Sequence, residues 1–188
     1  MHHYDYVVVG AGSAGSALAN RLSESGKFTV CLLEAGGSDK KFWVQMPLGY
    51  GKVFHDPSVN WRYMTEPEPN LDNQSVYWPR GKVLGGSSSI NAMVWVRGHK
   101  RDYDEWNSVA PGWGWDNVQK IFNRIENWDG TSDVSRGMNG PQAVHDVSSD
   151  VHPITISYLK AASQVGIKTN TDYNGPNMEG ASCYQIST

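Results

Sequence analysis

Three glycines, Gly10, Gly12 and Gly15, follow the spacing G-x-G-x-x-G, and an acid, Glu34, stands nineteen positions after the last of them. This pattern suits a pyrophosphate. The first glycine permits a tight turn, the second lets a phosphate approach the backbone, and the third allows a helix to pack closely on a strand. Ser13 and Ala14 fall where a helix would begin, so their N–H groups would face the anion at the positive end of the helix dipole. Glu34 is placed to accept hydrogen bonds from ribose hydroxyls, and its charge disfavours a 2′-phosphate. The motif indicates a dinucleotide and does not choose between NAD and FAD.

A second stretch, "GKVLGGSSSINAMVWVRG" (81–98), has the composition of a linker at its centre and apolar residues on both sides. A linker would not be enclosed in this way. Gly85 and Gly86 give bare backbone that can pass close to a flat ring or a phosphate. Ser87 and Ser88 add short-range donors, and Asn91 adds an amide that both donates and accepts. The serines are also placed to cap a helix beginning at "INAMV", and both roles are expected together.

The elements that must position these groups follow from the surrounding pattern. "YDYVVVG" (4–10) predicts a buried parallel strand, "GSAGSALANRLSESG" a helix ending at Gly26, and "FTVCLLEAGG" (28–37) a second strand. Strand, helix and strand make a right-handed βαβ unit. "WRYMTEP" (61–67) reads as a strand and "EPEPN" as a turn. "RGHKRDYDEW" (97–106), with its alternating charges, reads as a solvated loop containing ion pairs, and its His99 as a surface residue. "GWGWDNVQKIFNRIENW" predicts a helix with Asp116 as N-cap, Gln119 completing a capping box, and Val118, Ile121, Phe122 and Ile125 as its apolar stripe. A polar loop over 129–139, a short strand at "GPQAVHDV", a helix over 153–166 and an extended C-terminal segment complete the reading.

The totals exclude several classes. The 188 residues carry 16 basic and 19 acidic side chains, well mixed, with a net charge of −3, so no nucleic-acid surface is indicated. No apolar run reaches the ~18 residues of a transmembrane span. No signal peptide is visible, and the two cysteines, Cys31 and Cys183, lie in neither a metal-ligand spacing nor a disulfide framework. A reducing, cytoplasmic location is the expectation, with Cys31 a small buried hydrophobe. Glycine is 20 of 188 residues, against a usual ~7%, and it clusters at turns.

Taken together, "DYVVVGAGSAGSALANRLSE", "LLEAGG", "NWRYMTEPEP" and "RGKVLGGSSSINAMVWVRGHKRDYDEW" resemble the glucose–methanol–choline (GMC) family of flavin-dependent oxidoreductases. The wording is most similar to its choline dehydrogenase-like bacterial alcohol dehydrogenases. The resemblance covers most of the chain. It implies an α/β fold: an incomplete Rossmann-like FAD-binding domain followed by the start of an α+β substrate domain. The boundary is expected at 135/136, with 1–135 on the FAD and 136–188 opening the substrate part. It implies FAD contacts from Gly10, Gly12, Ser13, Ala14, Gly15, Glu34 and Ala35. It also implies contacts along Arg80, Val83, Leu84, Gly85, Gly86 and Ser87, with Asn91, Ala92, Met93 and Val94 beside the isoalloxazine. Where some members carry a histidine that bonds FAD covalently, this chain has Ile90, so non-covalent FAD is expected.

The family's catalytic histidine lies near the far end of a much longer chain. None of His2, His3, His55, His99, His145 and His152 sits in that motif. The expectation is therefore an N-terminal portion without a catalytic residue of its own. Its partners would be a small alcohol and a missing C-terminal half, or a second chain that carries the histidine. Two alternatives stand beside it. An NAD-dependent dehydrogenase would share the first motif but has no need of the second. An inert fragment would bind no cofactor.

Overall fold

The computed structural model describes residues 2–131 and 134–188. Ser132 and Asp133, within the expected polar loop, lie outside the described residues. The chain divides into two compact units, 1–92 and 93–188. The cut falls at Ala92/Met93, inside the second motif, whereas the sequence places the functional boundary at 135/136.

In the first unit, β1 (Tyr6–Val9) runs parallel to β2 (Val30–Leu33), joined by α1 (Ser13–Ser23). The register pairs Tyr6 with Val30 and Val9 with Leu33. β-branched residues favour the strands, and Gly10, at φ 95°, makes the turn that an L side chain resists. The expected βαβ unit is present, with strands shorter than the apolar runs. Val9 is 83% exposed and Leu33 49%, although parallel strands are normally covered on both faces. Cys31 is half-buried rather than enclosed, for the same reason.

Short helices α2 (Phe42–Gln45) and α3 (Tyr50–Val53) follow. The expected strand at 61–67 shortens to β3 (Tyr63–Met64), antiparallel to β4 (Tyr77–Trp78). The unit's apolar centre is Val53, Val59, Val83 and Ile90, with Val44 against it.

In the second unit, the expected charged loop is instead a helix, α4 (Lys100–Val109). His99 Nδ1 accepts from the Arg101 N–H at 3.1 Å, and Asp102 accepts from the His99 N–H at 3.1 Å, a reciprocal cap. Its apolar side is aromatic: Tyr103 meets Trp106, Trp115 and Phe122 at ring separations of 5.7, 5.6 and 6.1 Å. Charge alternation concealed that stripe.

The next helix, α5 (Trp115–Ile125), is capped by Gly114 in extended geometry. Asp116 is therefore not the N-cap; it sits in the first turn, where its charge opposes the dipole's positive end. The sheet of this unit is β5 (Glu126–Trp128), parallel to β6 (Gln142–Asp146), which is antiparallel to β7 (Gln185–Ile186). The expected helix near the C-terminus is α6 (Pro153–Gln164), with Pro153 in its first turn.

Candidate functional site: a glycine-walled cleft in the first unit

The two glycine motifs meet. Gly85 N–H donates to the Ala11 carbonyl at 2.8 Å, and Gly12 and Gly85 form a parallel bridge. A Cβ on Gly86 would stand 2.9 Å from the Gly12 Cα. Leu84 N–H donates to the Gly37 carbonyl at 2.9 Å, so the second motif also tracks the end of β2. Gly15 fits its assigned role: a Cβ there would collide with the Gly10 carbonyl oxygen, which lets α1 lie close to β1.

The three serines have separate local duties. Ser87 Oγ accepts from Gly81 N–H at 3.1 Å. Ser88 Oγ donates to the Gly85 carbonyl at 2.6 Å and accepts from Ser13 Oγ at 2.9 Å. Ser89 Oγ donates to the Leu84 carbonyl at 2.6 Å. They close a 3-10 turn over Gly86–Ser89 and cap no helix at "INAMV". The reason lies in the left-handed Gly85 and Gly86, φ 87° and 60°, and in hydroxyls that bond to nearby carbonyls instead.

These contacts wall a cleft of about 640 Å³. Of the residues that the resemblance implies as FAD contacts, Gly10, Gly12, Glu34, Ala35, Arg80, Gly86 and Ser87 line it, and Trp61 and Tyr63, which the sequence did not single out, line it too. Their rings stack at 5.8 Å and 6°, and Lys82 Nζ lies 4.6 Å from the Trp61 ring centre. The signal was available in the i, i+2 aromatics of "WRY" ahead of "WPRGK". Ser13, Ala14, Gly15, Val83, Leu84 and Gly85 are not among the lining residues. Val83 is core, and Gly15 and Gly85 shape the turns. Asn91 is exposed and Ala92 half-buried. Met93 and Val94 belong to the second unit, where Ser187 N–H donates to the Met93 carbonyl at 2.8 Å and Val94 bridges to Ile186.

Glu34 is held by backbone. Its two carboxylate oxygens accept from Ala11 N–H at 2.8 Å and Gly36 N–H at 2.9 Å. Each oxygen keeps acceptor capacity for a ribose hydroxyl. The N-terminus of α1 has no side-chain cap and no acid in its first turn. Its leading N–H groups therefore lack intrahelical acceptors, as at every helix start. A Cβ on Gly10 would meet nothing within 4 Å. Open space over glycine, free N–H groups and a seated carboxylate fit a nucleotide diphosphate.

Residues 4–188 match the family model described as GMC oxidoreductase. The chain belongs to the GMC oxidoreductase family. Among curated GMC relatives, the "Alcohol dehydrogenase [acceptor]" of Pseudomonas putida is 43% identical over 98% of this chain and 34% of its own length. The oxygen-dependent choline dehydrogenase of Vibrio vulnificus is 46% identical over 95% of this chain and 32% of its own. The chain thus spans about a third of the curated relatives it matches. Among solved structures, pyridoxine 4-oxidase from Mesorbium loti superposes with a TM-score of 0.92 at 31% identity, over 99% of this chain and 37% of that one. Formate oxidase of Aspergillus oryzae, in a study of FAD modification, gives 0.86 at 26% identity, over 98% and 34%. The fold is thereby that of the GMC N-terminal region, a partial Rossmann-like α/β domain.

The second unit holds a buried ionic cluster that the sequence did not reveal. Glu126, 0% exposed, accepts from Arg97 Nη2 at 2.5 Å, Arg136 Nη2 at 2.7 Å and Trp95 Nε1 at 2.8 Å. Arg136 Nη1 reaches Asp172 at 2.6 Å. Burial pushes the Glu126 carboxyl up, but the Arg136 hydrogen bonds, the Gly137 N–H and the two guanidinium charges outweigh it and hold it below the ordinary carboxylate range. No helix among the described residues is long and apolar enough to cross a membrane.

Proposed function

We propose that this chain is the FAD-holding portion of a GMC-type oxidoreductase that acts on the CH–OH group of a donor. The observation that carries the reading is the glycine-walled cleft, in which an uncapped helix start, the seated Glu34 and the Gly85–Gly86 turn converge. Names of relatives support it, since they include alcohol and choline dehydrogenases.

The chain's residues would bind and orient. Glu34 takes the adenosine ribose, the α1 N-terminus and Gly12 the pyrophosphate, and Ser87 and Arg80 the anionic oxygens. Following the family resemblance, Asn91, Ala92, Met93 and Val94 flank the ring system. When bound, the flavin supplies a hydride acceptor at N5. The base that takes the hydroxyl proton is a histidine on polypeptide beyond this chain, C-terminal to it or on a second chain. We assign 1–135 to the cofactor and 136–188 to the opening of the substrate part. A primary alcohol, an aldehyde hydrate or a choline-like alcohol is the substrate class. Ile90, 3% exposed in the aliphatic core, carries no group able to bond FAD, which supports non-covalent binding.

Equilibrium titration of the chain with FAD, followed by flavin fluorescence, tests the reading. Saturable FAD binding without matching NAD binding is expected; NAD binding alone, or neither, overturns it. After acid precipitation the flavin should stay in solution. Flavin remaining in the pellet overturns the non-covalent assignment.

A further inference from the structure

Asn60 is 3% exposed, and its whole amide is engaged. Its Oδ1 accepts two backbone N–H groups, Arg62 at 2.9 Å and Arg80 at 3.0 Å. Its Nδ2 donates to the Phe54 carbonyl at 2.8 Å and meets Tyr77 Oη at 3.4 Å. Tyr77 Oη donates to the same Phe54 carbonyl. One side chain thus ties together β4, the end of α3 and both sides of the 59–61/80–82 ladder, in which Trp61 N–H donates to the Arg80 carbonyl at 2.9 Å.

The two N–H groups it holds bear directly on the cleft. Arg62 has φ 58°, a left-handed conformation that a residue with a Cβ rarely adopts. Such strain persists only where surrounding contacts over-determine it, and it concentrates at functional sites. Arg62 separates Trp61 from Tyr63, and its backbone therefore sets how these two cleft-lining rings stand to each other. Arg80, the other residue held, lines the same cleft.

We infer that Asn60 is a positioning residue for this cleft: through Oδ1 it holds Arg62 left-handed and so fixes Trp61, Tyr63 and Arg80 as a preformed wall. The inference rests on the FAD reading for what the wall meets, and on geometry alone for how the wall is held.

Three variants separate positioning from general stability. Asn60→Ala removes both acceptor contacts. Asn60→Asp keeps the Oδ1 acceptor and removes the donor to Phe54. Asn60→Ala combined with Arg62→Gly gives the strained position a residue for which positive φ costs little. FAD affinity should fall about tenfold or more in Asn60→Ala, stay within about threefold in Asn60→Asp, and partly recover in the double variant. Melting temperature should drop in both single variants. Ligand-free NMR supplies the second arm: the HN–Hα coupling and Cα shift of Arg62 should report positive φ in the parent and in Asn60→Asp, and lose it in Asn60→Ala. Equal FAD affinity in parent and Asn60→Ala overturns the inference, as does an unchanged Arg62 signature. Equal losses in the Ala and Asp variants also overturn it, because they mark a purely structural role. If the parent binds no FAD, the cofactor reading fails, and the NMR arm alone decides Asn60.

Discussion

Gly86 packs on Gly12 so closely that a Cβ added to Gly86 would lie 2.9 Å from the Gly12 Cα, whereas a Cβ added to Gly12 would meet nothing nearer than that same Gly86 Cα at 4.0 Å. The relationship is one-sided. Gly86 is constrained by protein, and Gly12 is left open toward the cleft.

This asymmetry separates the two alanine variants. Gly86→Ala combines a backbone clash with a left-handed φ of 60° and should destabilise the first unit. The loss, by urea denaturation, is expected at about 1–3 kcal/mol. Gly12→Ala keeps an ordinary extended backbone, φ −74° and ψ −175°, and gives up only an N-cap glycine. Its stability should fall by about 1 kcal/mol or less. On the FAD proposal its FAD affinity should fall sharply, because the methyl group would take the open space assigned to phosphate. Equal FAD affinity in Gly12→Ala and the parent would falsify the assignment of Gly12 to the pyrophosphate.

Glu34 is seated by two backbone N–H groups and, on the FAD proposal, also takes the ribose, and substitutions should divide the two. Glu34→Ala frees the Ala11 and Gly36 N–H groups and should cost about 1–3 kcal/mol in stability. Glu34→Gln keeps one oxygen acceptor but turns an NH2 toward the other N–H, so its stability should be intermediate. Both should weaken FAD more than FMN, which lacks the adenosine ribose. Isothermal titration with the two flavins reads the difference.

The Ser13–Ser88 hydroxyl bond, 2.9 Å, joins the first turn of α1 to the second motif. If this link holds the two glycine loops in register, Ser13→Ala and Ser88→Ala should not add. A double-mutant cycle on unfolding free energy should give a coupling of about 0.5–1 kcal/mol. Additive losses would show that the Gly85–Ala11 backbone bond suffices without it.

What the sequence disclosed, and what it withheld, follows from the range of the interactions. The β1–α1–β2 unit was legible because the Gly10, Gly12 and Gly15 spacing and Glu34 act within one short crossover. Gly10, Gly12, Glu34 and Ala35, which line the cleft, were legible for the same reason. Helix α4 was missed because Tyr103 and Trp106 are interleaved with charges, and their aromatic partners come from Trp113 and α5. Nothing in its own stretch of sequence singles out Asn60; its contacts include Arg80, twenty positions away. Glu126 follows Ile125 as an ordinary helix-end acid. Only folding brings Arg97 and Arg136 onto it, and each of these arginines reads as a surface charge in its own neighbourhood.

That ionic cluster predicts an acid limit for the second unit. A carboxyl held below its unfolded value binds its proton more weakly when folded. The stability it lends is therefore complete above the unfolded value, ~4.3 for a glutamate, and is lost as pH falls through the lower folded value. Unfolding free energy should accordingly be level, as far as Glu126 contributes, from neutral pH down to about 5 and decline below it. Glu126→Gln removes the charge between Arg97 and Arg136 and leaves two guanidinium groups buried with one fewer counter-ion. It should cost about 3–5 kcal/mol near neutral pH. It should also flatten the acid decline, since no proton is taken up at that position on unfolding. Urea denaturation from pH 7 to pH 3.5, on parent and variant, measures both effects, and an equally steep decline in Glu126→Gln would place the acid limit elsewhere.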